Sequence, residues 1–294
     1  MSADPASSSL VTVIIPAFNA ADTIGDQLEA LTRQTYAGPW EVIVSDNGST
    51  DGTPSVAESF KGRVPGLRVV DASARRGVSH ARNAGAAAAR GDVLLFCDAD
   101  DVVVDEWVET MQRALSAHEV VGGCLDCTKL NSPNTLRNHH DHDASGRAAP
   151  LGMLPYAVGA TCGVRTSVFN SLSGWNETYV NGADDEDFSW RAQLASHRLG
   201  FASEAVVAYR HRSTLRGHVR QHFGYGAAQA LLYRDYGCHG MRRRSPGTVL
   251  RGWAWILLNA TDLRDRDKGW EWWRAVALQA GRIRGSFRYR VLFL

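Results

Sequence analysis

The sequence has no run of apolar residues near the ~18–20 that a membrane-spanning helix needs. Its first ten residues, Met1 to Leu10, are small and polar, without the basic region or apolar stretch of a secretory signal. Cysteine is scarce and odd in number, five in 294 residues. That argues against a disulfide framework and fits a reducing, cytoplasmic setting. Neither G-x-G-x-x-G after the first strand nor G-x-x-x-x-G-K-[ST] occurs, which disfavours a dinucleotide-binding dehydrogenase and a P-loop enzyme. Net charge is only +1, so nothing draws the whole chain to nucleic acid. The balance is uneven, however. From Arg242 to Leu294 there are 12 basic and 4 acidic residues, a net of +8, which leaves about −7 on the remainder.

What the sequence does have is an abrupt join of apolar and acidic residues. Val93 to Cys97 is a short apolar run, read as a buried strand, and it ends in Asp98-Ala99-Asp100-Asp101. Residues two apart in an extended chain point the same way, so Asp98 and Asp100 are expected on one face. Two carboxylates at the end of a buried strand need positive charge between them. Mg²⁺ or Mn²⁺, often shared with substrate phosphates, suits that need, and the plain alternative is a solvated acidic turn.

Three further strands precede this one. Val11 to Pro16 is almost wholly apolar, as in a strand buried on both faces of a parallel sheet. Asp22 suits an N-cap for a helix carrying Ile24, Leu28 and Leu31. Glu41 to Asp46 is the second strand, and Asn47 to Gly52 is turn chemistry. Thr53-Pro54 opens another helix, with Thr53 as its N-cap and Pro54 at the first helical position. Leu67 to Val70 and a helix from Ser79 to Arg90 complete a β-α-β-α-β-α-β order, which predicts a largely parallel sheet. Ligands sit at the carboxyl ends of such strands, where Pro16 to Asn19, Asp46 and Asp98 to Asp100 all fall. Beyond them, Trp107, Met111 and Leu115 form a core-facing stripe on a helix from about Asp105 to Ala117. Val120 to Cys124 reads as another strand.

Val13-Ile14-Ile15-Pro16-Ala17-Phe18-Asn19, Val44 to Thr53, Ala81-Arg82-Asn83-Ala84-Gly85 and Phe96 to Asp101 stand in this order. Together they resemble the family 2 glycosyltransferases of the GT-A fold, specifically over about the first 110 residues and more loosely to Asp235. The resemblance implies an α/β, GT-A nucleotide-binding sandwich with a mostly parallel central sheet and a C-terminal helical extension. It also implies inverting transfer of a sugar from a nucleotide diphosphate donor to a hydroxyl of a saccharide or lipid-linked saccharide, in cell-envelope or polysaccharide synthesis. The implied layout is a tail over 1–10, a domain over 11–235 and an extension over 236–294. Within the domain, 11–118 would bind the nucleotide sugar and 119–235 the acceptor.

Residue by residue, the resemblance puts Asp46 on the base, with Pro16 and Phe18 flanking it. Asp98 and Asp100 fall near ribose and metal, with Asp100 the direct ligand, and Arg82 and Asn83 lie in the A-R-N motif. The second strand usually ends in two acidic residues, and the first is Ser45 here. The family's E-D-x-D-[LF]-x-x-R pattern falls on Asp184 to Arg191. Asp185 then takes the place of the catalytic base, with Asp187 next, and Asp184 replaces the usual Glu. Crowded carboxylates near Phe188 and Trp190 are poised to accept a hydroxyl proton, although acidic residues also suit the first turn of any helix. His211, ending Tyr209-Arg210-His211, would complete the metal site or be structural, and Arg216 or Arg220 would hold the diphosphate or face solvent.

Two rival readings stay open. A sugar nucleotidyltransferase shares the sheet and the carboxylate site. A zinc-dependent binding module would use Cys124 and Cys127 with His139 and His142, although the histidines lie too close together for the usual spacing. The tail, with Arg242-Arg243-Arg244, its tryptophans and Arg282 to Arg290, fits either an interfacial helix on anionic lipid at the inner face of a membrane or a helical pair packed on the domain.

Overall fold

Continuous apolar sequence makes buried strands here, and the strands make the frame of the site. The computed structural model describes residues 9–137, 150–265 and 268–294. The N-terminal half runs β1 (Val11–Ala17), α1 (Ile24–Thr32), β2 (Trp40–Asp46), α2 (Thr53–Glu58), β3 (Arg68–Asp71), α3 (Val78–Ala88) and β4 (Val93–Cys97). Next come β5 (Val102–Val103), α4 (Trp107–Leu115), β6 (Val120–Asp126) and α5 (Pro133–Arg137). After the undescribed stretch follow β7 (Thr161–Arg165), α6 (Thr166–Ser171), α7 (Asp184–Leu194), β8 (Leu199–Ala208) and α8 (Leu215–Tyr236). Helices α9 (Pro246–Leu258) and α10 (Lys268–Tyr289) complete the chain.

One eight-stranded sheet has the order β3-β2-β1-β4-β7-β6-β8-β5. The first four strands are all parallel, as the alternation of strands and helices requires. The other half is mixed: β7 is antiparallel to both β4 and β6, β6 is parallel to β8, and β5 is antiparallel to β8. β1 and β4 are buried along their whole length, so their alternate side chains feed two different cores. Val13, Ile15 and Leu95 pack with Leu28, Trp107 and Met111 on one face. Ile14, Leu94 and Phe96 pack with Cys162, Trp175 and Phe188 on the other. The α4 stripe Trp107, Met111, Leu115 is core, as its spacing predicts.

Two local expectations change. Asp22 does not cap α1. Thr23 occupies the cap position without a side-chain bond, and the amides of Thr23 and Ile24 donate to Ala20 O. At α2 the cap residue is Gly52, in a left-handed conformation at φ +88°, and Thr53 is already helical.

The C-terminal residues form a packed pair of helices. α10 lies along α8 so closely that a Cβ at Gly226 or Gly281 would collide with backbone of the facing helix. A third core cluster, including Tyr179, Trp190, Leu231, Tyr236 and Phe293, fills the space between these helices and α7.

Candidate active site

Three loops meet at the carboxyl ends of β1, β2 and β4, and hydrogen bonds lace them together. After β1, Asn19 takes a left-handed conformation at φ +50°. Its side chain accepts from Thr50 N at 2.8 Å, and its own amide donates to Ser49 Oγ at 2.9 Å. Ala20 N donates to Thr53 Oγ1 and Ala21 N to Asp51. Asp46 ends β2 and accepts from Ser49 N. The buried Asn47 donates to Ala72 O and Arg75 O and accepts from Gly77 N, which pins the arginine-bearing loop after β3 beside the same edge. There the Arg76 guanidinium sits 4.3 Å over the exposed ring of Phe18. Pro16 lies within β1, buried, in register with Ser45.

Asp98 to Asp101 follow β4 as a turn, not as continued strand, so the alternation expected for Asp98 and Asp100 does not operate. The turn gathers the carboxylates instead. One oxygen from each of Asp98, Asp100 and Asp101 lies within 4.8 Å of the others. Buried Gln27 holds the turn at both ends, donating to Asp98 O at 3.2 Å and accepting from Val103 N at 3.0 Å. Asp101 is fully buried. Its Oδ1 accepts from Arg210 N at 2.8 Å, and its Oδ2 has no partner among the described residues. Burial, with the charges of Asp98 and Asp100, pushes the Asp101 carboxyl well above the usual range. Burial and Asp98 raise Asp100 as well, opposed by Arg212, whose Nη1 is 3.3 Å from Asp100 Oδ2. Three hard oxygen donors, one with an orphaned buried oxygen, fit a divalent cation. His211 stands outside this cluster: its amide donates to Asn131 Oδ1 and its ring meets Tyr209 edge-on.

Arg82 joins this turn to the second half of the protein. Its guanidinium donates to Asp98 Oδ1 at 3.0 Å and to Asp184 Oδ2 at 2.7 Å, and lies 4.7 Å over the Trp175 ring. Gly159 makes room for it, since a Cβ there would come within 2.8 Å of the guanidinium nitrogens. Asn83 reaches the same way. It clamps the Trp175 backbone by an N–H and a C=O, and donates to Glu177. Glu177 also meets His80 Nδ1 and Arg75, and these contacts hold its carboxyl below the usual range against the opposing effect of its burial.

At the start of α7, Ala183 adopts φ +66°, a strained value for a residue with a Cβ. The four acidic residues that follow have different surroundings. Asp184 is buried against Arg82; burial raises its carboxyl and the guanidinium opposes this. Asp185 is half-buried and accepts from Gly159 N at 3.3 Å and from Glu186 N at 3.1 Å. Burial and the adjacent Asp185 push Glu186 well up. Asp187 is taken up elsewhere, by Arg191 Nε at 2.8 Å and the Tyr236 hydroxyl at 2.7 Å, and so braces α7 against α8. Tyr225 of α8 packs on Gly182, and burial near Asp185 and Glu186 raises its phenol.

The structure therefore gathers Pro16, Phe18 and Asp46 at the carboxyl ends of β1 and β2, and sets Arg82 between the turn that carries Asp98 and Asp100 and the start of α7, where Asp185 follows Asp184. Asp101, Glu177 and Gln27 received no role from the sequence, and Asp184 only its place in the acidic motif. A third carboxylate within four residues of the end of a buried strand was the available signal for Asp101. Of the rival zinc ligands, Cys124 lies in β6 and Cys127 is buried just after it, while His139 and His142 lie outside the described residues.

Comparison with known proteins identifies the family and the fold. The model of glycosyl transferase family 2 matches residues 12–173, and that of glycosyl transferase family group 2 matches residues 93–263. The chain is 29% identical over 199 residues to glycosyltransferase AglE of Haloferax volcanii, covering 67% of this chain and 65% of that protein. It is 30% identical over 228 residues to glycosyltransferase GlyG of Streptococcus pneumoniae, covering 70% and 72%. With the pre-mycofactocin glycosyltransferase of Mycobacterium tuberculosis it is 29% identical over 260 residues, 85% of this chain but 52% of that one. The chain thus spans about half to three quarters of these relatives. Among solved structures, mannosyltransferase PcManGT from Pyrobaculum calidifontis, in complex with GDP-Man and Mn²⁺, superposes with TM-score 0.65 at 19% identity, over 97% of this chain and 89% of that one. S. aureus TarS 1–349 with UDP-GlcNAc gives 0.54 at 17% identity, over 97% and 93%.

Proposed function

The chain belongs to glycosyl transferase family 2, with the GT-A fold, and from that premise we propose an inverting transfer of a sugar from a nucleoside diphosphate to an acceptor hydroxyl. The observation that carries the reading is the Arg82 bridge, which ties the Asp98 turn to the acidic start of α7. Donor-side and acceptor-side carboxylates are thereby held in one cleft.

In this reading the base lies against the exposed Phe18 and Asp46 accepts its N–H, while Pro16, buried within β1, shapes the strand end without touching the base. Asp98, Asp100 and Asp101 would hold Mg²⁺ or Mn²⁺, which when bound supplies positive charge that stabilises the departing diphosphate. Structural neighbours crystallised with GDP-Man and Mn²⁺ and with UDP-GlcNAc support a nucleotide-sugar donor and a metal of this class. Arg212 sits beside Asp100, and His211, next to it in the chain, would complete the metal site on a change of rotamer. Asp185 accepts the proton of the acceptor hydroxyl as its oxygen attacks the anomeric carbon opposite the leaving diphosphate. The bond to the diphosphate breaks as the new glycosidic bond forms, which inverts the centre. Arg82 positions Asp98 and Asp184, and Asp187 acts only through the placement of α7. The acceptor class is a saccharide or lipid-linked saccharide, as in envelope or polysaccharide synthesis.

Titration calorimetry with UDP, GDP and their sugars, in Mn²⁺ and in chelator, tests the donor site. Metal-dependent binding of one nucleotide, lost in Asp46→Ala and Asp100→Ala, is the expected result. A folded protein that binds none of them in Mn²⁺ would overturn the reading. NMR of the product's anomeric proton tests inversion separately.

A further inference from the structure

Helix α9 shows its apolar side to solvent. Ile256 alone on it is buried, while Leu250, Leu257 and Leu258 are 71%, 75% and 82% exposed. The inward face is set by contacts with α10: Ile256 O accepts from Trp272 Nε1 at 2.8 Å, and Gly252 packs on Gln279. Leu250, Trp253 and Leu257, at i, i+3 and i+7, share the face turned away. α10 repeats the pattern. Gly281 and Gly285 meet α8, whereas Ala280, Ile283 and Phe287 line an open trough on another side, with Phe287 82% exposed. Clustered exposed apolar residues on two neighbouring helices mark a surface that something covers.

Charge decides what covers it. Residues 242–261 and 272–294 hold nine arginines and no acidic side chain; all four acids of this region lie in 262–271. Arg244 and Arg282 both donate to the single neutral oxygen Gln279 Oε1, at 2.9 and 2.8 Å, and neither meets a carboxylate among the described residues. Burial and the nearby guanidiniums of Arg244 and Arg274 push Arg282 down to about 10. A second copy of the chain would set like charge against like. No helix among the described residues is long and apolar enough to cross a membrane, so the surface lies on its partner.

We propose that the outer face of α9 and α10 docks on an anionic lipid bilayer, with Leu250, Trp253, Leu257 and Phe287 entering the interface and the arginines meeting headgroup phosphates. Arg284 and Arg288 also line a cleft with Thr178, Asn181 and Arg220. That cleft runs beside the loop leading into Asp184 and Asp185, so it joins the docking face to the start of α7. This inference goes beyond the transfer reaction and does not depend on it, because docking needs no donor.

The test is flotation of the full chain with vesicles of phosphatidylcholine alone and of phosphatidylcholine mixed with phosphatidylglycerol. Binding is expected only to the mixed vesicles, weakening with salt. Arg284→Gln and Arg288→Gln should each reduce partitioning about fivefold. Leu257→Ser with Leu258→Ser should reduce it at least about tenfold. All four positions are exposed or at a rim, so circular-dichroism melting should stay at the wild-type temperature. Three results would overturn the proposal: a folded chain that does not float, equal flotation with both vesicle types, or a dimer in light scattering that Leu257→Ser dissolves.

Discussion

Arg82 lies 2.7 Å from Asp184 while its other terminal nitrogen holds Asp98 at 3.0 Å, so one buried guanidinium fixes the distance between two carboxylates 86 positions apart in sequence. Lysine keeps the charge but not the fork. Arg82→Lys is therefore expected to weaken nucleotide binding and slow turnover together, each by about tenfold or more, the worth of a charge-assisted hydrogen bond. Gly159→Ala, which crowds the same guanidinium, should act in the same direction. Calorimetry and steady-state rates on the same preparations check both, and an effect on only one of the two quantities would separate the bridge from the reaction.

Asp185 and Asp187 should separate cleanly. Asp185→Asn is expected to cut kcat by about 10²–10⁴ and to leave nucleotide affinity intact. Asp187→Asn breaks a buried pair with Arg191 and should cost about 3 kcal/mol of stability. Denaturant unfolding and nucleotide titration of the two variants make the comparison. Intact turnover in Asp185→Asn would remove it as the base.

Asp101→Asn removes one of three crowded charges while its Oδ1 can still accept from Arg210 N. Without metal the variant should melt higher than the parent, because repulsion falls and the buried charge is gone. The rise in melting temperature that Mn²⁺ gives the parent should shrink or vanish. Paired melting curves in Mn²⁺ and in EDTA read both effects.

Glu119 accepts from the Arg198 guanidinium and amide, and these bonds hold its carboxyl down to about 2 from an ordinary 4.5. A lowered folded-state value means that the bond contributes fully above pH 4.5 and is lost as pH falls toward 2. Wild type should exceed Glu119→Gln in stability at pH 6 by a modest, screened amount, and the gap should close by pH 2. Urea unfolding across that window tests it; a gap that does not change with pH would assign the effect to another cause.

The parallel half of the sheet was legible because Val11 to Pro16, Val42 to Val44 and Val93 to Cys97 are short apolar runs bounded by turn residues or charges, the pattern of buried strands. Their loops, and with them Asp46, Asp98 and Asp100, follow from the topology. The mixed half was less legible. β7 is short, and its place between β4 and β6 depends on partners far along the chain. Asp22 failed as a cap because the amides entering α1 find Ala20 O, Asp51 and Thr53, contacts that no local pattern announces. The A-R-N motif was visible, but its use was not, since Asp184 and Trp175 are distant in sequence.

The bond from Arg210 N to the Asp101 carboxylate spans 109 residues, and the pairing of β5 with β8 closes the same loop. The acidic turn therefore cannot take its final shape while the chain is still being made, until β8 and the residue after Tyr209 have emerged. A fragment ending before β6 would carry all three aspartates and still lack the seat that holds them. On the proposed function, competence to bind a donor would arrive late in synthesis, and a chain cut short before Arg210 would not hold nucleotide sugar.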